Sequence, residues 1–203
     1  MSGSLYIVAA PSGAGKSTLV NALLNRERGI KLSISYTSRG PRPGEQDGVH
    51  YHFVSSATFM EMVDRGEFFE YAIVHGDLKG TARSAVEQQL AQGVDVLLEI
   101  DYQGARLVRH LMPEAISIFI LPPSREELER RLRSRAQDSE AVIKRRLNGS
   151  RAEIGHAHEF DYIIVNDDFE RALEDLSTIV HASRLRQRVQ SEHLKTLVDR
   201  LLS

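Results

Sequence analysis

Two stretches of this chain carry residue types that grip phosphate. The first is APSGAGKST, Ala10 to Thr18. Gly13 and Gly15 allow backbone angles that aim consecutive N–H groups at phosphate oxygens. Ser12, Ala14 and Thr18 supply neighbouring amides. Lys16 sets a point charge at the β- and γ-phosphates, and the Ser17 hydroxyl suits Mg²⁺. The run fits G-x-x-x-x-G-K-[ST] except that Ala10 stands for the first glycine. Alanine is small enough to keep the backbone close. The second stretch is SYTSRGPRPGEQDGVHY, residues 35–51. Pro41 and Pro43 stiffen a loop bearing Arg39 and Arg42, and forked guanidinium groups suit a phosphate dianion. Tyr51 adds a hydroxyl. Taken alone, the stretch equally fits a solvated loop whose arginines do nothing.

Glu70 lies in the half-apolar run EFFEYAIV, 67–74. A carboxylate accepts two parallel hydrogen bonds from guanine N1–H and the 2-amino group, whereas adenine presents an acceptor at N1. An exposed strand carboxylate with no such role is the plain alternative. His50 and His52, or His156 and His158 near Glu159, have no third ligand at a metal-site spacing.

These residues need elements to hold them. LYIVAA (5–10) reads as a buried strand and Lys16 to Leu24 as a helix with Leu19, Val20, Leu23 and Leu24 on one face. VDVLLEID (94–101), SIFIL (117–121) and DYIIVN (161–166) read as further strands, with helices near 82–91, 102–111 and 124–134. Strands apolar on both faces, alternating with helices, signal a parallel sheet covered by helices, an α/β fold. Residues 33–81 break the rhythm: VHYHFV (49–54), a helix from Ser56 to Arg65 and EFFEYAIV suggest a small, mainly antiparallel insertion. The charged segment 125–157 reads as two helices joined by RAQDSE, with little core of its own, a mobile lid. The stretch from Phe169 reads as one long surface helix, basic from Arg184.

Composition narrows the function classes. The 203 residues suffice for one sizeable core. A formal net charge of −2 gives no basic field for nucleic acid or an anionic membrane. With no cysteines, disulfides and thiolate metal sites are excluded, and a reducing cytoplasm is the expected setting. The apolar N-terminal run leads into a glycine loop, so it is expected to be a strand and not a signal peptide. No apolar run approaches the ~18 residues of a membrane helix. A regulatory GTPase would explain the D-x-x-G match DYQG (101–104), but no N-K-x-D base-reading motif occurs.

APSGAGKST, SISYTSRGPRPGE, DGVHYHF, GEFFEY, EIDYQGA, FILPPS and DYIIVNDD, in this order, resemble the guanylate kinases of bacterial type. The resemblance spans essentially the whole chain. It implies a P-loop NTPase core with a parallel sheet flanked by helices (1–32, 84–125 and 158–203, the last with the C-terminal helix). It also implies a small mixed α/β GMP-binding insertion (33–83) and a helical lid (126–157). The implied activity is transfer of the ATP γ-phosphate to GMP with Mg²⁺, in the cytoplasm, without nucleic acid or membrane, with a homodimer as one assembly open to it. The family pattern would put ATP on Ser12 to Thr18 and Asn166, with Ser17 toward the metal. It would put the GMP phosphate on Arg39, Arg42 and Tyr51, and guanine on Ser35, Glu70 and Thr81. Asp101 would face GMP and the Mg²⁺ hydration shell, while Lys16, Arg131, Arg135 and Arg146 would meet the transferring phosphates. One segment departs: where the family usually has a tyrosine, GDLKGT (76–81) carries Lys79, expected to donate to the same GMP phosphate. A kinase for another phosphorylated acceptor and a non-catalytic binding module of the same fold are the competing readings.

Overall fold

The computed structural model describes residues 3–74, 76–134 and 140–203. In chain order the elements are β1 (Leu5–Ala9), α1 (Lys16–Arg26), β2 (Ile30–Leu32), β3 (Tyr36–Thr37), β4 (His52–Phe53), α2 (Ser56–Asp64), β5 (Phe68–Val74), β6 (Asp77–Ala82) and α3 (Arg83–Ala91). There follow β7 (Asp95–Glu99), α4 (Tyr102–Leu111), β8 (Ile116–Leu121), α5 (Arg125–Ser134), α6 (Glu140–Gly155), a 3-10 turn (Ala157–Glu159), β9 (Tyr162–Val165), α7 (Phe169–Arg184) and α8 (Gln187–Leu202).

Five strands form one parallel sheet in the order β2-β7-β1-β8-β9. The uninterrupted apolar runs of β1 and β8 make sense because both faces are covered. On one face, α1 and α7 bury Leu19, Val20, Leu23, Leu176 and Val180 against Tyr6, Val8 and Ile118. On the other, α3 and α4 bury Val86, Leu90 and Val108 against Ile7 and Leu98. The strands deliver their C-terminal ends to one edge, where ligands of such sheets bind.

A second sheet, β4-β3-β6-β5, belongs to the insertion. Its β3–β6 and β5–β6 pairs are antiparallel and its β3–β4 pair is parallel. Phe59 and Phe68 stack at 4.6 Å in its core. Phe69, the next residue, points the other way and joins the main core. This side-to-side alternation of a strand fastens the insertion to the core and sets the adjacent Glu70 at their junction.

Two expectations need correction, and a third holds. The strand expected over 49–54 shrinks to β4, because the Asp47 carboxylate accepts from the Phe53 N–H (2.8 Å) and Gln46 N–H donates to His50 Nδ1 (3.1 Å), curling the chain before it. The charged hairpin has the small core expected of it, Leu128 and Leu132 of α5 against Ile143 and Leu147 of α6. The single C-terminal surface helix is two helices, broken at Leu185–Arg186, and α7 packs into the core.

Candidate active site

Gly13 and Gly15 both have positive φ, +94° and +93°, a region that side chains disfavour. At Gly15 a Cβ would also lie 2.4 Å from Asn166 Nδ2, which donates to the Ala14 carbonyl at 2.8 Å. The loop thus turns tightly into α1, and Lys16 is its first helical residue. Lys16 Nζ donates to the Ile100 carbonyl (3.1 Å) and lies 4.0 Å from Glu99. Burial pushes its ammonium below the ordinary lysine value, against the pull of Glu99, Asp101 and Glu153. The Ser17 hydroxyl donates to Glu99 in a short hydrogen bond.

A cleft of about 440 Å³ opens beside the loop. It brings together Ser12, Lys16, Ser35, Tyr51, Glu70, Lys79, Asp101 and Arg146. Glu70 is 8% exposed and accepts from the Thr81 hydroxyl at 2.6 Å, across the β5–β6 register that pairs them. Burial pushes its carboxyl up, the Thr81 bond opposes this, and the Asp101 charge adds to it. Asp101 caps α4 by accepting from Gly104 N–H (2.8 Å). A Cβ at position 104 would meet Glu70 Oε2 at 3.0 Å, so α4 approaches the carboxylate closely only because a glycine is there. The Lys79 ammonium lies 5.3 Å from the Tyr51 ring centroid, inside the cleft and not in open solvent.

Arg39 and Arg42 do not line this cleft in the described arrangement. Glu45 holds Arg39 by two parallel bonds of 2.9 Å, and also accepts from Arg42 N–H at 2.7 Å. The Arg39 bonds, then the Arg42 amide, hold the Glu45 carboxyl at about 2. Tyr51 and Phe53 flank the same guanidinium at 5.5 and 5.8 Å.

On the far side of the loop, a second cleft of about 330 Å³ is lined by Gly13, Gly15, Thr18, Arg131 and Asn166. Arg131 donates to the carbonyls of Ala14 (3.4 Å) and Asn166 (3.0 Å) and to Glu127 (2.7 Å). Arg135 lies outside the described residues.

Sequence reasoning missed Glu45, Glu99 and Glu153. Glu99 had a signal, an acid ending an apolar strand that points at the loop. Glu45 stood within the loop already singled out. Glu153 had none, for its partner, Ser12 N–H, is 141 residues away in sequence. His156 is occupied structurally: it stacks on Tyr102 at 4.0 Å and bonds Glu159 at 2.7 Å.

A family model described as guanylate kinase matches residues 2–183. The chain belongs to the guanylate kinase family. A guanylate kinase of Xanthomonas campestris pv. campestris (strain 8004) is 58% identical over 202 residues, covering 100% of both chains. One from Xylella fastidiosa strain Temecula1 is 58% identical over 203 residues, again with full coverage. The crystal structure of guanylate kinase from Anaplasma phagocytophilum superposes with a TM-score of 0.75 at 34% identity, covering 94% of this chain and 95% of that one. The guanylate kinase assignment thus rests on both sequence and fold, and the parallel sheet flanked by helices is the P-loop NTPase arrangement expected from the sequence.

Proposed function

We propose that this chain catalyses transfer of the γ-phosphate of ATP to GMP, giving ADP and GDP in purine nucleotide metabolism, with Mg²⁺ as the metal and the cytoplasm as its setting. One observation supports the reading most directly: a single cleft joins the phosphate-loop Lys16 to the buried Glu70–Thr81 pair. Donor chemistry and guanine recognition then share one cavity. ATP would lie along residues 12–18, with its base toward the side where Asn166 and Arg131 line the second cleft. GMP would set its base on Ser35, Glu70 and Thr81 and its phosphate among Tyr51, Lys79, Arg39 and Arg42, the last two turning inward.

The oxygen donors at the end of β7 fit Mg²⁺, which keeps several waters and takes few protein oxygens beside phosphate. Ser17 would hold the ion directly, with Glu99 and Asp101 holding its water shell; when bound, it neutralises charge on the transferring phosphates. The protein's part is positioning and electrostatics, since phosphoryl transfer needs little covalent help. Lys16, Arg146 and a turned Arg131 stabilise the charge shared between donor and acceptor. The attacking GMP phosphate oxygen is already ionised at neutral pH, so no general base is required. Closure of α5 and α6 over the cleft excludes water that would hydrolyse ATP.

The deciding experiment is a coupled assay of ADP release from ATP–Mg²⁺ with GMP, with AMP, and with no acceptor. Release that depends on GMP is expected; release with AMP but not GMP would overturn the reading. Lys79 gives a narrower test. Lys79→Ala is expected to raise the GMP KM ~10-fold with a smaller change in kcat, the size of one lost charged hydrogen bond. An unchanged GMP KM would remove Lys79 from the acceptor site.

A further inference from the structure

Helix α6 lines the cleft with Arg145 and with the oppositely charged pair Arg146 and Glu153. Seven residues apart, they lie two turns from one another on one face. An arginine suits a helix that folds over polyphosphate. A carboxylate there does not, because it repels the same ligand. Yet Glu153 Oε2 accepts from the Ser12 N–H at 3.3 Å. That amide belongs to the loop whose N–H groups suit phosphate oxygens. A carboxylate has what a phosphate edge offers, negative charge and a pair of acceptor oxygens. Lys16 attracts Glu153, and Asp101 repels it. Burial dominates both and pushes the carboxyl up, so the group is held in the cleft at some cost.

We propose that Glu153 is an internal stand-in for donor phosphate: in the empty enzyme it occupies the Ser12 amide and holds α6 against the loop, and incoming donor displaces it. Donor binding is thereby tied to movement of α6. The proposal rests on the reading of residues 10–18 as the donor site and adds to it a residue that competes with the donor.

The test is calorimetric titration of ATP–Mg²⁺, and separately of GMP, into the wild type and Glu153→Gln. Glutamine keeps shape and an acceptor oxygen but removes the charge. The expected result is donor affinity at least ~5-fold tighter in the variant, with the GMP affinity within about twofold of wild type, since only a like charge next to the donor has gone. Equal or weaker donor binding overturns the proposal, as does tightening of both ligands alike. If Glu153→Gln does not fold, Glu153→Ala in the same titration decides by the same criteria. Absence of any ATP binding to the wild type would instead overturn the donor-site reading, and the proposal with it.

Discussion

Lys16→Met is expected to lower turnover with ATP and GMP by at least ~10²-fold, the size of losing one preorganised donor to developing charge. Methionine matches the four-atom apolar stem of lysine, with sulfur for one methylene, and lacks the ammonium. In the structure that ammonium is already aimed, donating to Ile100 at the end of β7 and lying 4.0 Å from Glu99. It therefore does not have to reorganise when charge builds on the phosphates. Burial has lowered its affinity for its proton, so phosphate is the partner that restores a full charge balance. The fold is expected to survive, because the side chain keeps 20% of its surface exposed and Met fills the same channel. Steady-state kinetics in the coupled assay, with the melting temperature as control, provide the check. A folded variant turning over near the wild-type rate would remove Lys16 from the reaction.

Glu70→Gln separates recognition from stability. The carboxylate can accept both the N1–H and the 2-amino group of guanine; an amide turns one acceptor into a donor facing a donor. Two charged hydrogen bonds of about 1.5–3 kcal/mol each are at stake, so kcat/KM for GMP is expected to fall by ~10²-fold or more. The preference for GMP over IMP, which lacks the 2-amino group, should narrow in the same variant. Stability should move the other way or hold, because a buried charge is costly and Thr81 can donate to the amide oxygen as it does to the carboxylate. The wild type carries a matching pH signature. Only the ionised form accepts both guanine donors, and burial raises the carboxyl above its ordinary value of 4.5. As pH falls, GMP KM should therefore begin to rise at a higher pH than for an exposed glutamate. A Glu70→Gln enzyme with unaltered GMP kinetics would place guanine elsewhere.

The elements that hold the donor loop were legible because each obeys one simple rule. β1 and β8 are apolar throughout, and α1 repeats its apolar residues at helical spacing. β6 was not legible. Its sequence DLKGTA has the lysine and glycine that strands avoid, and it is a strand because β3 and β5 pair with it on both sides. The split of the C-terminal segment was hidden for a related reason: apolar residues continue through α8, while the break at Leu185–Arg186 carries neither Gly nor Pro. In α7 the buried face includes Ala172, Ser177 and Ser183, small residues whose burial no hydropathy pattern announces. Within the candidate site, residue types and spacing picked out side chains that the structure brings to the two clefts, Lys16, Glu70, Lys79 and Arg146 in one and Arg131 and Asn166 in the other. Glu153 could not be identified that way, since it reaches the phosphate loop only through the fold, whereas Glu99 at the end of an apolar strand was there to be read.

The pairing of Arg39 with Glu45 has a consequence for the acceptor loop. Its guanidinium is held by a carboxylate fork and two aromatic rings, so it must leave Glu45 before it can turn toward the cleft. On the proposed reading, GMP does not find a bare cation there. It meets an ion exchanger supplied with its own counter-ion, and a phosphate must bring enough charge to evict a carboxylate that stays ionised down to about 2. On that reading a dianion would do so where a neutral nucleoside or a singly charged solute would not, and a small, open loop would reject the unphosphorylated nucleoside without any steric filter.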